Sequence, residues 1–213
     1  FRDEVIGIDR SARKVLCRTR LSLPYELLSI NIGSAAQLLR VTGASERALP
    51  VKPIRRFNER WLALLARVRA HAGPTTIAVV GAGAGGVELT LAMQYRLRGE
   101  LAALGRDPDN LHFHLFSAAA NILPTHNAAV RGAFERVLAE RQVAIHRDAE
   151  VVEVAAGRLQ ARNGETLAAD EIIWVTQAGG APWLRDSGLA LDGEGFIRMR
   201  DTLQSESDPL IFA

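Results

Sequence analysis

The stretch Thr76-Ile77-Ala78-Val79-Val80-Gly81-Ala82-Gly83-Ala84-Gly85-Gly86-Val87-Glu88 sets the reading of the whole chain. Ile77 to Val80 is a short apolar run suited to a buried strand, and the residues from about Gly85 to Leu104 read as a long helix. Between them lies the pattern GxGxxG. In that setting each glycine does something different. Gly81 permits a tight turn, Gly83 lets the backbone approach a diphosphate, and Gly86 lets the helix pack closely on the strand. Amides at the helix start, those of Ala84 and Gly85 among them, lack helical partners and face an anion along the positive end of the helix dipole. A lone glycine pattern can also be a plain packing turn. The strand before it and the helix after it favour a dinucleotide cradle, and with it a Rossmann-type domain.

Working outward, Leu111 to Phe116 alternates residue types and reads as the next strand of the sheet. Its exit, Ser117-Ala118-Ala119-Ala120, offers neither an acidic residue for a ribose 2′-hydroxyl nor an arginine for a 2′-phosphate. Ser117 can bond a hydroxyl or serve as an ordinary turn residue, which leaves NADH and NADPH both open. Asn127 to Gln142 repeats the helical period, and Val143 to His146 follows as a strand. Val151 to Val154, Arg158 to Ala161 and Thr166 to Ala168 read as an antiparallel meander with a tight turn at Asn163-Gly164. Glu171 to Thr176 is an apolar strand suited to returning into the buried sheet. Upstream, Phe57 to His71 places Phe57, Trp61, Leu64, Leu65 and Val68 at helical spacing, and Gly73-Pro74 ends that helix. Gly43 to Pro53 reads as a connector. Residues 1 to 34 hold short strands at Val5 to Ile8, Lys14 to Cys17 and Leu27 to Ile32; beyond residue 177 the clearest strand is Phe196 to Met199.

With 213 residues there is material for one good core and extra flanks. A content of 48% hydrophobic and 23% charged residues excludes disorder, and no apolar run reaches membrane-spanning length. The net charge of +2 comes from positive residues scattered among acidic ones with few aromatics, so nucleic-acid binding is not expected. Cys17 is the only cysteine, which excludes an internal disulfide or a CxxC redox pair and fits a reducing cytoplasm. His112 and His114 share a strand face without a third ligand at suitable spacing, so no metal site is expected; His71, His126 and His146 read as equally ordinary. Trp61 and Trp174 read as packing residues.

Several motifs together give a family resemblance. They are Tyr25-Glu26-Leu27-Leu28-Ser29-Ile30-Asn31-Ile32-Gly33-Ser34, Gly85-Gly86-Val87-Glu88-Leu89, Asn121-Ile122-Leu123-Pro124 and Trp174-Val175-Thr176-Gln177-Ala178-Gly179, followed by Leu203-Gln204-Ser205 and Ile211-Phe212-Ala213. The chain resembles the FAD-dependent pyridine nucleotide-disulfide oxidoreductase superfamily, in its type II NADH dehydrogenase-like branch. The wording of the motifs is most similar to the NADH dehydrogenase-like flavoprotein module fused to, or encoded beside, selenide, water dikinase.

The resemblance implies an α/β fold: a Rossmann-like NAD(P)-binding domain of parallel sheet and antiparallel meander over residues 57–177, flanked by partial FAD-domain segments at 1–56 and 178–213. It implies NAD(P)H as cofactor, with FAD in the intact protein, and hydride transfer from nicotinamide to flavin and on to an unknown acceptor, with a quinone and a sulfur or selenium species as the candidates. It places Glu88 near the nicotinamide, the plainer reading being a carboxylate favoured at a helix N-terminus, and puts Thr176 and Gly179 among the cofactor-binding residues. The setting it implies is cytoplasmic, at most peripheral to the inner membrane. This chain departs from the family pattern at Ile30-Asn31-Ile32-Gly33-Ser34, which replaces an ATGS-type segment, and at Gln177, which replaces a glycine. The family's first glycine loop for FAD and the acidic segment after Ala213 are not within these residues, and the chain opens on Phe1. The expectation is therefore part of a longer enzyme, without FAD and inactive by itself. The other expectation is a non-catalytic nucleotide-binding or docking module linked to the dikinase.

Overall fold

The computed structural model describes residues 2–213 apart from Gln37, Leu39, Arg40, Pro53 and Gln177. The chain forms two compact units, residues 1–35 with 178–213 and residues 36–177. In the first unit β1 (Val5–Asp9), β2 (Lys14–Cys17) and β3 (Leu23–Pro24) make an antiparallel sheet. The short strands β4 (Leu28–Ser29) and β5 (Ala35–Ala36) follow.

The second unit runs α1 (Ala44–Arg47), β6 (Leu49–Pro50), α2 (Ile54–Ala70), β7 (Thr75–Val80), α3 (Ala84–Ala103), β8 (Leu111–Phe116), α4 (Ala128–Glu140) and β9 (Val143–His146). A meander of β10 (Val151–Ala155), β11 (Arg158–Ala161) and β12 (Thr166–Ala168) leads into β13 (Glu171–Trp174). The parallel sheet has the order β6-β13-β7-β8-β9. Back in the first unit come β14 (Ala178–Gly179), β15 (Gln204–Ser205) and β16 (Asp208–Phe212), with sheet order β15-β16-β4.

Both faces of the parallel sheet are covered, which is why its central strands are apolar at successive positions. Ile77 and Val79 of β7 and Phe113 and Leu115 of β8 pack with Val87, Leu97, Leu138 and other residues on the helix side. Ala78, Val80, Phe116, Ile172 and Trp174 pack with Val151, Val154 and Leu159 on the meander side. Trp174 is thus a core residue, and Trp61 on α2 packs against the helix-side cluster. Asn127 caps α4 by accepting the Val130 amide at 3.0 Å.

Tertiary pairing changes four expectations. The first boundary lies at residues 35/36, not 56/57. The reason is that Leu49 and Pro50 pair with Ile173 and Trp174 in the parallel sheet, while Thr42 bridges to Glu153 of the meander. The stretch Gly43 to Pro53 is accordingly not a bare connector but carries α1 and β6. Phe196 to Met199 is not a strand; it makes only isolated bridges, Leu191 to Ile197 and Met199 to Ser205, and the longer pairing of this region belongs to β16. In the N-terminal segment, the strand expected over Leu27 to Ile32 is confined to Leu28–Ser29.

α3 approaches the exit of β7 too closely for a side chain to stand between them. A Cβ on Gly86 would stand 1.7 Å from the Gly81 carbonyl oxygen, whereas one on Gly99 of the same helix meets nothing within 4 Å. Gly86→Ala is therefore expected to destabilise the protein by about 3 kcal/mol. Gly99→Ala, which only removes backbone freedom from a helix interior, is expected to stabilise it by about 0.5–1 kcal/mol. Urea denaturation midpoints falling on opposite sides of the wild-type value would check both.

Candidate dinucleotide site

The glycine loop is held at the C-terminal ends of three strands. Gly81 donates its amide to Phe116 O at 3.0 Å, Leu123 donates to Ala82 O at 2.8 Å, and Val175 donates to Val80 O at 2.8 Å. The Leu123 bond explains the Asn121-Ile122-Leu123-Pro124 segment physically, since it fastens the far side of the loop. The chain leaves β7 towards β8 on one side and returns as β13 on the other, so the loop opens at the switch point of the sheet.

Each glycine in the pattern meets a different constraint. Gly81 has φ +115, and a Cβ there would lie 2.8 Å from the Val175 carbonyl carbon and oxygen. Gly86 is excluded from carrying a side chain by the Gly81 carbonyl. Gly83 is extended, at φ −73 and ψ −177, and a Cβ there meets no protein atom within 4 Å. Its lack of a side chain therefore answers no demand of the fold. The helix begins immediately after it, with Val87 N–H donating to Gly83 O at 3.0 Å, so the amides of Ala84, Gly85 and Gly86 have no acceptor within α3. Gly83, Ala84 and Gly85 are exposed, and among the described residues no other acceptor takes those amides.

The remaining candidates divide. Glu88 is exposed and is the fifth residue of α3, so the expected position in the first turn is corrected: the helix starts at Ala84, and its first turn has no acidic residue. Attraction to the dipole, confined to the first turn, accounts poorly for a carboxylate there. Ser117 is 4% exposed and committed to its own turn, its hydroxyl donating to Asn121 O at 3.1 Å and accepting the Ala119 amide at 3.2 Å. Thr176 lies beside the loop, its amide nitrogen 3.0 Å from where a Gly81 Cβ would stand. Its hydroxyl accepts the Trp174 indole N–H at 2.6 Å, which leaves the hydroxyl proton to donate elsewhere. Gly179 belongs to β14 in the first unit.

One polar group was not legible from spacing. His114 on β8 and His146 on β9 share a hydrogen bond, Nδ1 to Nε2 at 2.9 Å, and the other His146 nitrogen meets the Glu165 carboxylate from the turn between β11 and β12. His146 also stacks on Phe116 with ring centroids 4.2 Å apart. The partners are brought together only by sheet pairing and the meander fold. Burial, then the neighbouring His146 and His112, holds the His114 pKa below the usual histidine range, against an opposing pull from Glu165. Among the described residues there is no cluster of three or more His, Cys, Asp or Glu side chains that could hold a metal ion.

A strand, glycine turn and helix with unaccepted amides at the switch point of a parallel sheet define an α/β protein of the Rossmann-like class. The family model described as pyridine nucleotide-disulphide oxidoreductase matches residues 1–213, and the chain belongs to that family. It is 25% identical to the type II NADH:quinone oxidoreductase of Haemophilus influenzae, over 90% of this chain and 48% of that protein. It is also 25% identical to the NADH dehydrogenase-like protein YutJ of Bacillus subtilis, over 91% of this chain and 50% of that protein. The chain thus spans about half the length of the curated relatives it matches. Among solved structures, NDH2 of Plasmodium falciparum in complex with NADH aligns with a TM-score of 0.79 at 16% identity, covering 99% of this chain and 48% of that one. The NADH-bound water-forming NADH oxidase of Lactobacillus brevis aligns with a TM-score of 0.72 at 21% identity, covering 99% and 44%. At those identities the likeness establishes the fold. Among the described residues no helix is long and apolar enough to cross a membrane.

The lowered His114 pKa has a stability consequence with a definite sign. Below the ordinary histidine value of 6.5 the unfolded chain binds a proton that the folded chain resists, so this contribution is intact above pH 6.5 and is lost as pH falls. Comparing melting temperatures at neutral pH and near pH 5.5, His114→Gln is expected to show a smaller acid-induced drop than wild type. Equal drops in the two proteins would count against burial of a neutral imidazole.

Proposed function

We propose that this chain is the nicotinamide-nucleotide-binding part of an NAD(P)H-dependent oxidoreductase of the type II NADH dehydrogenase kind. The observation that carries the reading is Gly83, an extended residue with open space in place of a side chain, preceding three helix amides without acceptors. A diphosphate would supply those acceptors, and its charge would meet the positive end of α3. Gly81, Gly83, Ala84, Gly85 and Gly86 form the proposed cradle. Glu88 and Thr176 are the proposed partners of the nicotinamide half, and Ser117 shapes the turn on the adenosine side.

When bound, NAD(P)H supplies a hydride from its nicotinamide C4. In the intact protein we propose that FAD receives it and passes electrons to a second acceptor, with residues 1–35 and 178–213 contributing to the flavin domain. Family membership and the type II NADH dehydrogenase-like relatives support this reading. Within the 213 residues Gly81 to Gly86 is the single GxGxxG, and it is taken by the nicotinamide nucleotide. These residues offer no second cradle of that kind for the FAD diphosphate, and no flavin is expected on this chain alone. The wording of the motifs supports a selenide, water dikinase as a partner of the whole protein, and the single Cys17 supports a reducing cytoplasmic setting.

Calorimetric titration of the full chain with NADH tests the site. Gly83→Val is expected to weaken binding at least about tenfold while leaving Tm unchanged, because the extended backbone and the open space accept the side chain. Unaltered affinity in that variant, or no binding by wild type, would reject the assignment.

A further inference from the structure

The exit of β8 presents a chemical gap. A carboxylate there would bind the adenosine ribose of an unphosphorylated dinucleotide, yet the turn reads Ser117-Ala118-Ala119-Ala120, and the Ser117 hydroxyl is occupied within that turn. The segment leaving the neighbouring strand β9 fills the space beside it. Three backbone hydrogen bonds join the two: Ser117 N–H to His146 O at 2.8 Å, Ala149 N–H to Ser117 O at 2.8 Å, and Asp148 N–H to Ala119 O at 3.2 Å. Asp148 is thereby one hydrogen bond from the turn where the missing acid would stand.

We propose that Asp148 supplies the carboxylate absent from the end of β8, accepts hydrogen bonds from the adenosine ribose hydroxyls, and sets a preference for NADH over NADPH. The inference rests on the dinucleotide reading of the glycine loop. Four observations carry it. Asp148 is exposed, so its carboxylate is available to a ligand. Its φ of 50 lies in the left-handed region, an uncommon conformation for a residue with a side chain, and the amides on both sides of its Cα are bonded to the β8 turn. Its carboxylate has no hydrogen bond or ion pair among the described residues, whereas nearby acids are engaged: Glu135 by Arg147 at 2.6 Å, Glu150 by Arg162 at 2.8 Å, and Glu165 by His146. The cation next to it in sequence, Arg147, is the same one already paired with Glu135. That leaves a negative charge uncompensated beside the turn. An ionised carboxylate is acceptor-only, which suits a ribose diol, and it repels a 2′-phosphate.

Binding of NADH and NADPH to the full chain, measured by calorimetry for wild type, Asp148→Ala and Asp148→Asn, tests the proposal. Wild type is expected to prefer NADH by about tenfold or more, the size of one charge-assisted hydrogen bond. Asp148→Ala should erase most of that preference by weakening NADH and relieving the repulsion of NADPH. Asp148→Asn, whose side chain tolerates the left-handed backbone, should gain affinity for NADPH at unchanged Tm. An NADH to NADPH ratio equal in all three proteins, with Gly83→Val still weakening both, would overturn the role of Asp148 and leave the glycine-loop site standing. Absence of binding by wild type to either nucleotide would remove the site reading and this inference together.

Discussion

The carbonyl oxygen of Gly81 lies where any side chain on Gly86 would have to go. That single exclusion brings α3 down onto the exit of β7, and much else follows from it. With helix and strand this close, the turn between them has only Gly81, Ala82 and Gly83 to reverse direction, and Gly81 adopts a positive φ against the Val175 carbonyl to do so. Ala84 and Gly85, which open the helix, are then exposed, and no acceptor among the described residues satisfies their amides or that of Gly86. A structural constraint and the proposed binding capacity are one arrangement, seen from the inside and from the outside of the loop. Gly83 separates the two roles, because its missing side chain serves only the space outside.

That loop is steady because its surroundings are. Phe116, Leu123 and Val175 fasten it or the adjoining strand end by main-chain hydrogen bonds. Behind those anchors the sheet is sandwiched between a helix-side cluster and a meander-side cluster. The meander covers one sheet face and also carries Glu165 to His146, which stacks on the apolar ring of Phe116 and shares a hydrogen bond with His114. His114 is half core residue and half hydrogen-bonding group, and burial favours its neutral form.

The charges around the β8 and β9 exits are arranged by the same pairing. Glu135, Glu150 and Glu165 are each matched to an arginine or a histidine, whereas Asp148 has no such partner among the described residues. With Asp148 in its proposed role, nucleotide selection is a property of two strand exits considered together.

By itself the order of residues determined the strand, glycine loop and helix at 75–103, the succession of β8, α4 and β9, and the meander, since each announces itself through local spacing or a turn residue such as Gly164. It also determined the candidate cradle, because a glycine pattern between a strand and a helix is a local signal. Tertiary structure alone decided that Leu49 and Pro50 join a parallel sheet, because the run of two residues is too short to show a period and its partners lie at Ile173 and Trp174. It alone brought His114, His146 and Glu165 together and set Asp148 against Ala119, because hydrogen bonds between strands bear no relation to distance along the chain. Short-range periodicity encodes elements; which side chains face each other across them depends on pairing and register, and those are settled only when the whole sheet packs.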